Sequence, residues 1–130
     1  SGTWKKYQFG PFEFSLPDQW IVTIAKDGCK LSKPDIPDLI LELLRVEKIT
    51  YSNTIGSLTT SRFNSIQWEK QSIPGSGESE KLTTVFSTEV SGSLYQVRFT
   101  SSADTHTYFL QEEILRFLKS IRMIDHGGHI

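Results

Sequence analysis

Chemistry in a chain this short needs a nucleophile beside a base, a cluster of metal ligands or a phosphate cradle. Cys29 is the single cysteine, and the histidines are His106, His126 and His129. No Gly-x-Ser-x-Gly elbow sets a serine on a strand-to-helix turn, so no Ser-His-Asp arrangement can be read. Cys29 lies in a strand-like stretch, where a lone cysteine behaves as a small core hydrophobe. Asp125, His126 and His129 have the ligand types of a divalent-metal site, with His106 a fourth if the chain ends meet. Gly127-Gly128 between them makes chelation costly in ordering entropy, so 125–130 is expected to be a flexible tail. His106 by itself is expected to face solvent near a helix start. Gly75-Ser76-Gly77 lacks the helix and lysine that a phosphate loop needs. No catalytic residue, metal site or cofactor is expected.

Aromatic residues are the remaining signal: eight Phe, four Tyr and three Trp. Tryptophan and tyrosine dominate the energetic centres of protein interfaces. Trp4 stands beside Lys5 and Lys6, Arg62 lies in the polar 49–65 segment, and Trp68 precedes Glu69. These residues, Trp4, Lys5, Lys6, Arg62 and Trp68, are the expected contacts for a protein partner. Trp20 is expected in the core. The competing reading makes each tryptophan one edge of a small sheet core.

These residues sit on a chain of 130 residues with 37% apolar and 22% charged composition and a net charge of −1. That is enough for one domain with its own core, expected over 3–124, without a disulfide or metal staple. Wholesale disorder and coiled coils are excluded by composition. A near-zero charge argues against nucleic acid, whose binding depends on lysines and arginines neutralising phosphates. The longest apolar run, Leu39-Ile40-Leu41, falls far short of a membrane span. Ser1-Gly2 without Met reads as a cloning remnant. The cytoplasm is therefore the expectation, and the periplasm the alternative if a leader or lipid anchor was removed.

Alternation predicts a hairpin from Tyr7 and Phe9 through Gly10-Pro11 to Phe12, Phe14 and Leu16. Trp20–Ile24 and Cys29–Leu31 read as strands around the Asp27-Gly28 turn. Residues 36–48 fit either a helix capped by Asp35 or Asp38 or a strand buried on both faces. Residues 49–65 suit a loop, a short helix or a strand, Ile66–Glu69 has strand character, and 73–80 is a flexible connector. The strongest β signal is a hairpin over 82–99 with a three-residue loop at Ser91-Gly92-Ser93. Its outer face should carry Thr, Ser and Arg and suit a dry interface poorly. From Thr107 to about Ser120, Leu110, Ile114, Phe117 and Ile121 form the stripe of an amphipathic helix. The fold class expected is α+β: a twisted antiparallel sheet with this C-terminal helix on one face.

Phe12-Glu13-Phe14-Ser15-Leu16-Pro17-Asp18-Gln19-Trp20 resembles the opening hairpin of the Mog1/PsbP-like proteins, including their DcrB-type bacterial members. The resemblance continues through Leu41, Leu43, Arg45 and Val46, through Tyr95–Phe99, and into Ser120–Ile124. It decides for a strand at 39–48. One departure is that Ser52–Asn64 is helix-poor where the family has a substantial helix. The resemblance implies an α+β sandwich and a non-enzymatic role as adaptor, assembly factor, secretion-effector chaperone or GTPase-binding regulator. The leading expectation is a protein-binding module (adaptor, chaperone or assembly/inhibitor factor) using sheet edges and loops, monomeric or weakly dimeric. The alternative is a small-ligand carrier with an apolar pocket between sheet and helix. An enzyme with a site built from scattered polar residues is the third and weakest reading.

Overall fold

A computed structural model of the chain describes residues 3–46, 58–73 and 81–124. The metal-type trio at 125–129, the Gly75-Ser76-Gly77 segment and all of 49–57 lie outside them. The architecture is α+β, dominated by antiparallel sheet. Strands β1 (Trp4–Phe9), β2 (Phe12–Pro17) and β10 (Arg122–Met123) form a three-stranded sheet in the order β1-β2-β10. A seven-stranded sheet comprises β3 (Ile21–Ile24), β4 (Gly28–Ser32), β5 (Ile40–Val46), β6 (Leu58–Phe63), β7 (Ile66–Ile73), β8 (Lys81–Val90) and β9 (Ser93–Ser102). Its order is β3-β4-β5-β9-β8-β7-β6. Within the ambiguous 36–48 segment, Ile40–Val46 is thus a strand, in register with β9 from Ile40↔Thr100 to Val46↔Leu94, and 47–48 lie outside the described residues.

Turn chemistry fixes the hairpins. Gly10 has φ +58°, and a Cβ there would stand 3.1 Å from the Tyr95 ring, so the β1–β2 corner needs glycine twice over. The β8–β9 loop has two residues, not the three the sequence suggested. Val90 pairs directly with Ser93, and Ser91 and Gly92 both adopt positive φ. Two left-handed residues match the strand twist, which is why the tighter loop wins. The β6–β7 corner repeats this pattern with Asn64 and Ser65.

The helical segment begins earlier than expected and is not uniform. It comprises α1 (Ala103–Phe109), a π-helical turn (Leu110–Ile114) and α2 (Leu115–Ser120). Ile114, Phe117, Leu118 and Ile121 are buried. The helix does not cover the large sheet alone, as the pattern of one helix after many strands had implied. The β1–β2 hairpin shares that face, with Phe12 edge-on to Tyr95 at 5.1 Å and Phe14 edge-on to Phe117 at 5.5 Å. Alternation puts Phe12, Phe14 and Leu16 on one side of β2, and all three are buried.

The far face of the 82–99 hairpin mixes Thr, Ser, Gln and Arg with Val85 and Leu94, and its centre is withdrawn from water. Arg98 Nη2 donates to Gln96 Oε1 (3.0 Å) and Gln96 Nε2 donates to Ser87 Oγ (3.2 Å). Val85, Ser87, Leu94 and Gln96 are all buried. Pairing among themselves lets these polar groups leave water at little cost.

Asn64 closes the other end of the helix. Its Nδ2 donates to the Lys119 carbonyl and, at 3.0 Å, to the Ile121 carbonyl. Those are the carbonyls that the helix end leaves without an intrahelical donor. Asn64→Ala should cost about 1–2 kcal/mol, combining lost capping bonds with a left-handed backbone that Ala resists. Asn64→Gly keeps the backbone and should lose only the bonds. Equal urea midpoints for wild type and both variants would remove the clamp.

Candidate functional site

Strand β1 places three of the five expected contact residues in a row. It alternates: Phe9 is buried, Tyr7 is half-buried and stacks on Phe14 at 5.6 Å, and Trp4, Lys5 and Lys6 are exposed. Because β1 stands at the margin of its sheet, only its β2 side pairs among the described strands. The opposite row of backbone N–H and C=O groups is a template for another extended chain. Pro17 faces Trp4 in the register, and the Thr3 carbonyl accepts from Asp18 N at 2.8 Å, which anchors the strand's start.

Trp4 is 51% exposed, whereas Trp20 is 5% and Trp68 0%. Trp68 is therefore withdrawn from the contact set. On β7 it faces inward and lies against Phe12, ring centres 6.1 Å apart. Alternation along β7 forces this, because Lys70 shares a face with Phe86, and Trp68 lies two residues before Lys70. Its Nε1 is buried with no hydrogen-bond partner among the described residues. Arg62 is exposed but belongs to β6, an edge of the other sheet, where its Nη2 donates to Gln67 Oε1 at 3.2 Å.

Charge completes the β1 site. Glu13 on β2 takes Arg122 at 3.1 Å and Lys6 at 3.9 Å. Trp4 also borders Glu113 and Arg116 across a cleft at the helix. Lys5, Lys6, Arg116 and Arg122 thus stand against Glu13, Asp18 and Glu113, four cations against three carboxylates on a chain of net charge −1. Arg116 and Arg122 escaped sequence reading because the helix and the short β10 bring them in from over 100 residues away.

The cleft at the helix has a volume of about 30 Å³ and includes Trp20, Leu41 and Phe117 in its wall. That is room for a water or two, far below the ~300 Å³ a small organic ligand needs. Among the described residues, this cleft alone is too small to hold such a ligand.

Other reactive groups are enclosed. Burial pushes the Cys29 thiol up to about 11, so it is protonated at neutral pH. His106 is buried, not solvent-facing as expected. Its Nε2 lies 2.7 Å from Thr84 Oγ1 and its Nδ1 3.2 Å from Ser101 Oγ, and its ring stacks on Phe99 at 4.3 Å. The early helix start turns it onto β8 and β9. Ser101 is fully buried, so this Ser–His contact is closed to substrate. Among the described residues, no three His, Cys, Asp or Glu groups gather to hold a metal. None of their helices is long and apolar enough to cross a membrane.

The fold and site together define a small α+β domain with a basic, aromatic edge strand. No family model matches the sequence, and no characterised protein matches it by sequence. Among solved structures, it is similar to cyanobacterial PsbP (CyanoP) from Synechocystis sp. PCC 6803. The TM-score is 0.69 at 11% identity, over 95% of this chain and 94% of that one. A protein from Bacteroides thetaiotaomicron VPI-5482 matches with TM-score 0.66 at 8% identity, over 90% of this chain. This chain spans 46% of that protein's length. These likenesses establish a PsbP/Mog1-like fold.

Proposed function

We propose that this chain is a non-enzymatic protein-binding module, an adaptor, chaperone or assembly/inhibitor factor, that takes an acidic, extended segment of its partner along β1. One observation carries the reading: a half-exposed Trp4 heads an edge strand whose neighbours in sequence are Lys5 and Lys6. Strand addition derives affinity from main-chain hydrogen bonds and specificity from side chains beside the strand. Lysines on an edge repel a second basic edge, including β1 of another copy, and accept an acidic strand. The isolated protein is therefore a monomer in this reading, with weak homodimers the alternative. The N-terminal Phe12–Trp20 motif supports the DcrB-type bacterial branch, in the cytoplasm, or in the periplasm if a leader is removed.

Trp4 is the most exposed of the three tryptophans, so its fluorescence reports directly. Acidic octapeptides of alternating Glu and Val should change Trp4 emission saturably, and Lys/Val octapeptides should not. Trp4→Ala, followed by anisotropy of a labelled peptide, should weaken binding at least about tenfold. Lys5→Glu with Lys6→Glu should abolish it, while Arg62→Glu should leave it unchanged. Equal binding of acidic and basic peptides, or an equal loss with Arg62→Glu, would overturn the assignment to β1.

A further inference from the structure

We propose that β3 is the edge through which two copies of this chain pair, antiparallel and about a two-fold axis at Thr23. The strand ends the seven-stranded sheet, and among the described strands it pairs only with β4. Its residues, Ile21-Val22-Thr23-Ile24, are all β-branched and uncharged. Ile21 is 54% exposed and Ile24 49%. Opposite Val22 and Ile24 in the register, Leu31 and Cys29 are buried, so the apolar face of the sheet runs out into water at this edge. The strands at the other sheet margins carry cations: Lys5 and Lys6 on β1, Arg62 on β6 and Arg122 on β10. Such charges keep copies of a protein from joining edge to edge, and β3 has none.

Hydrogen-bond parity fixes the frame. Ala25 N donates to the Gly28 carbonyl at 2.8 Å, which makes Ala25 and Gly28 a hydrogen-bonded pair. Alternation then turns the backbone groups of Thr23 and Ile21 toward β4, and those of Val22 and Ile24 outward. A two-fold at Thr23 sets Val22 opposite Ile24 of the second copy, and Ile24 opposite its Val22. Every outward N–H and C=O of the strand then meets an outward partner, and the exposed Ile24 side chain packs on Val22 across the joint. A two-fold at Val22 would instead set Ile24 against Trp20, whose N–H already donates to the Pro17 carbonyl at 3.1 Å. The edge is thus complementary to itself in one frame, which argues for a second copy as its occupant. The strand is short, so the association is weak and the dilute chain is monomeric. β1 belongs to the other sheet, and the pair leaves its edge open to the partner segment.

The test follows the ¹⁵N-labelled full chain from dilute to millimolar samples by amide shifts, with sedimentation equilibrium on the same series. The amides of Val22 and Ile24 should shift with concentration toward a plateau while the mass rises toward that of a dimer. Added salt should not weaken the association, because the paired stretch is uncharged. Thr23→Lys places two like charges face to face on the axis at an exposed position, and should raise the dissociation constant at least about tenfold. Lys5→Glu with Lys6→Glu should leave it unchanged. A chain that stays monomeric at millimolar concentration overturns the proposal, as does a dimer that Thr23→Lys leaves intact. If a neutral Val/Thr octapeptide shifts Val22 and Ile24 in a chain that never dimerises, the edge takes a foreign strand and the second copy is excluded.

Discussion

Phe117→Ala should lower the unfolding free energy by about 3–5 kcal/mol, seen as a large fall in the urea midpoint with little change in slope. Phe117 is buried on α2 and meets the edge of the Phe14 ring. Its truncation removes a ring from the contact between helix and β1–β2 hairpin, and a close-packed core cannot collapse around so large a void. The neighbourhood reinforces the cost. Ser120 Oγ donates to the Phe117 carbonyl at 2.7 Å, and the same hydroxyl bridges to the Ser15 backbone, tying helix to hairpin at that point. A domain of this size is stable by about 5–15 kcal/mol in total, so the variant should sit near the threshold of folding. Phe117→Leu should cost markedly less, because most of the volume remains. A Phe117→Ala protein with wild-type stability would show that this helix does not hold the hairpin.

Period-two signals carried most of the strand content, and the residues show why they stopped where they did. Phe12, Phe14 and Leu16 alternate cleanly because one face of β2 is buried and the other is not. Leu41 and Leu43 are buried while Ile40 is exposed, so β5 also alternates by two. Its leucines and isoleucines nevertheless fall on both faces, and that double apolarity hid the period behind a helical spacing. Pairing β5 with β9 joins segments about 50 residues apart, which no local pattern encodes. The same limit governs the site. Trp4, Lys5 and Lys6 are neighbours in sequence and could be read together, whereas the Glu13–Arg122 contact needs the return of the chain. Trp68 was misplaced because a tryptophan flanked by polar Gln67 and Glu69 has the same local signature on either face of a strand. Only the register with β8 settles its direction.

The buried histidine has consequences that reach through stability to pH. Folding takes His106 out of water between Thr84, Ser101 and the Phe99 ring, and desolvation first, then the positive charge of Lys70, holds its pKa below the ordinary histidine value. The neutral imidazole suits the pocket, since one ring nitrogen donates and the other accepts, and each hydroxyl can do either. Above the ordinary value near 6.5 both folded and unfolded chains hold it neutral, and the full stability is present. As pH falls through that value the unfolded chain takes up the proton first, so stability declines with falling pH. The decline ends once pH passes below the depressed folded-state pKa, where both forms are charged. Asp38 adds a separate loss at lower pH. The hydrogen bonds from Ser102 hold its carboxyl below the usual range, and protonation releases them. His106→Leu should therefore do two things. At pH 8 it should cost about 2–4 kcal/mol, because the buried Thr84 hydroxyl loses its His106 partner and Ser101 keeps only the Ser102 carbonyl. Between pH 6.5 and the folded-state pKa it should flatten the stability curve, which a merely cavity-forming change would leave sloping. Urea unfolding of both proteins across that range decides it: parallel curves for wild type and His106→Leu would mean that His106 titrates alike in the folded and unfolded chains, and the buried neutral imidazole would have to be abandoned.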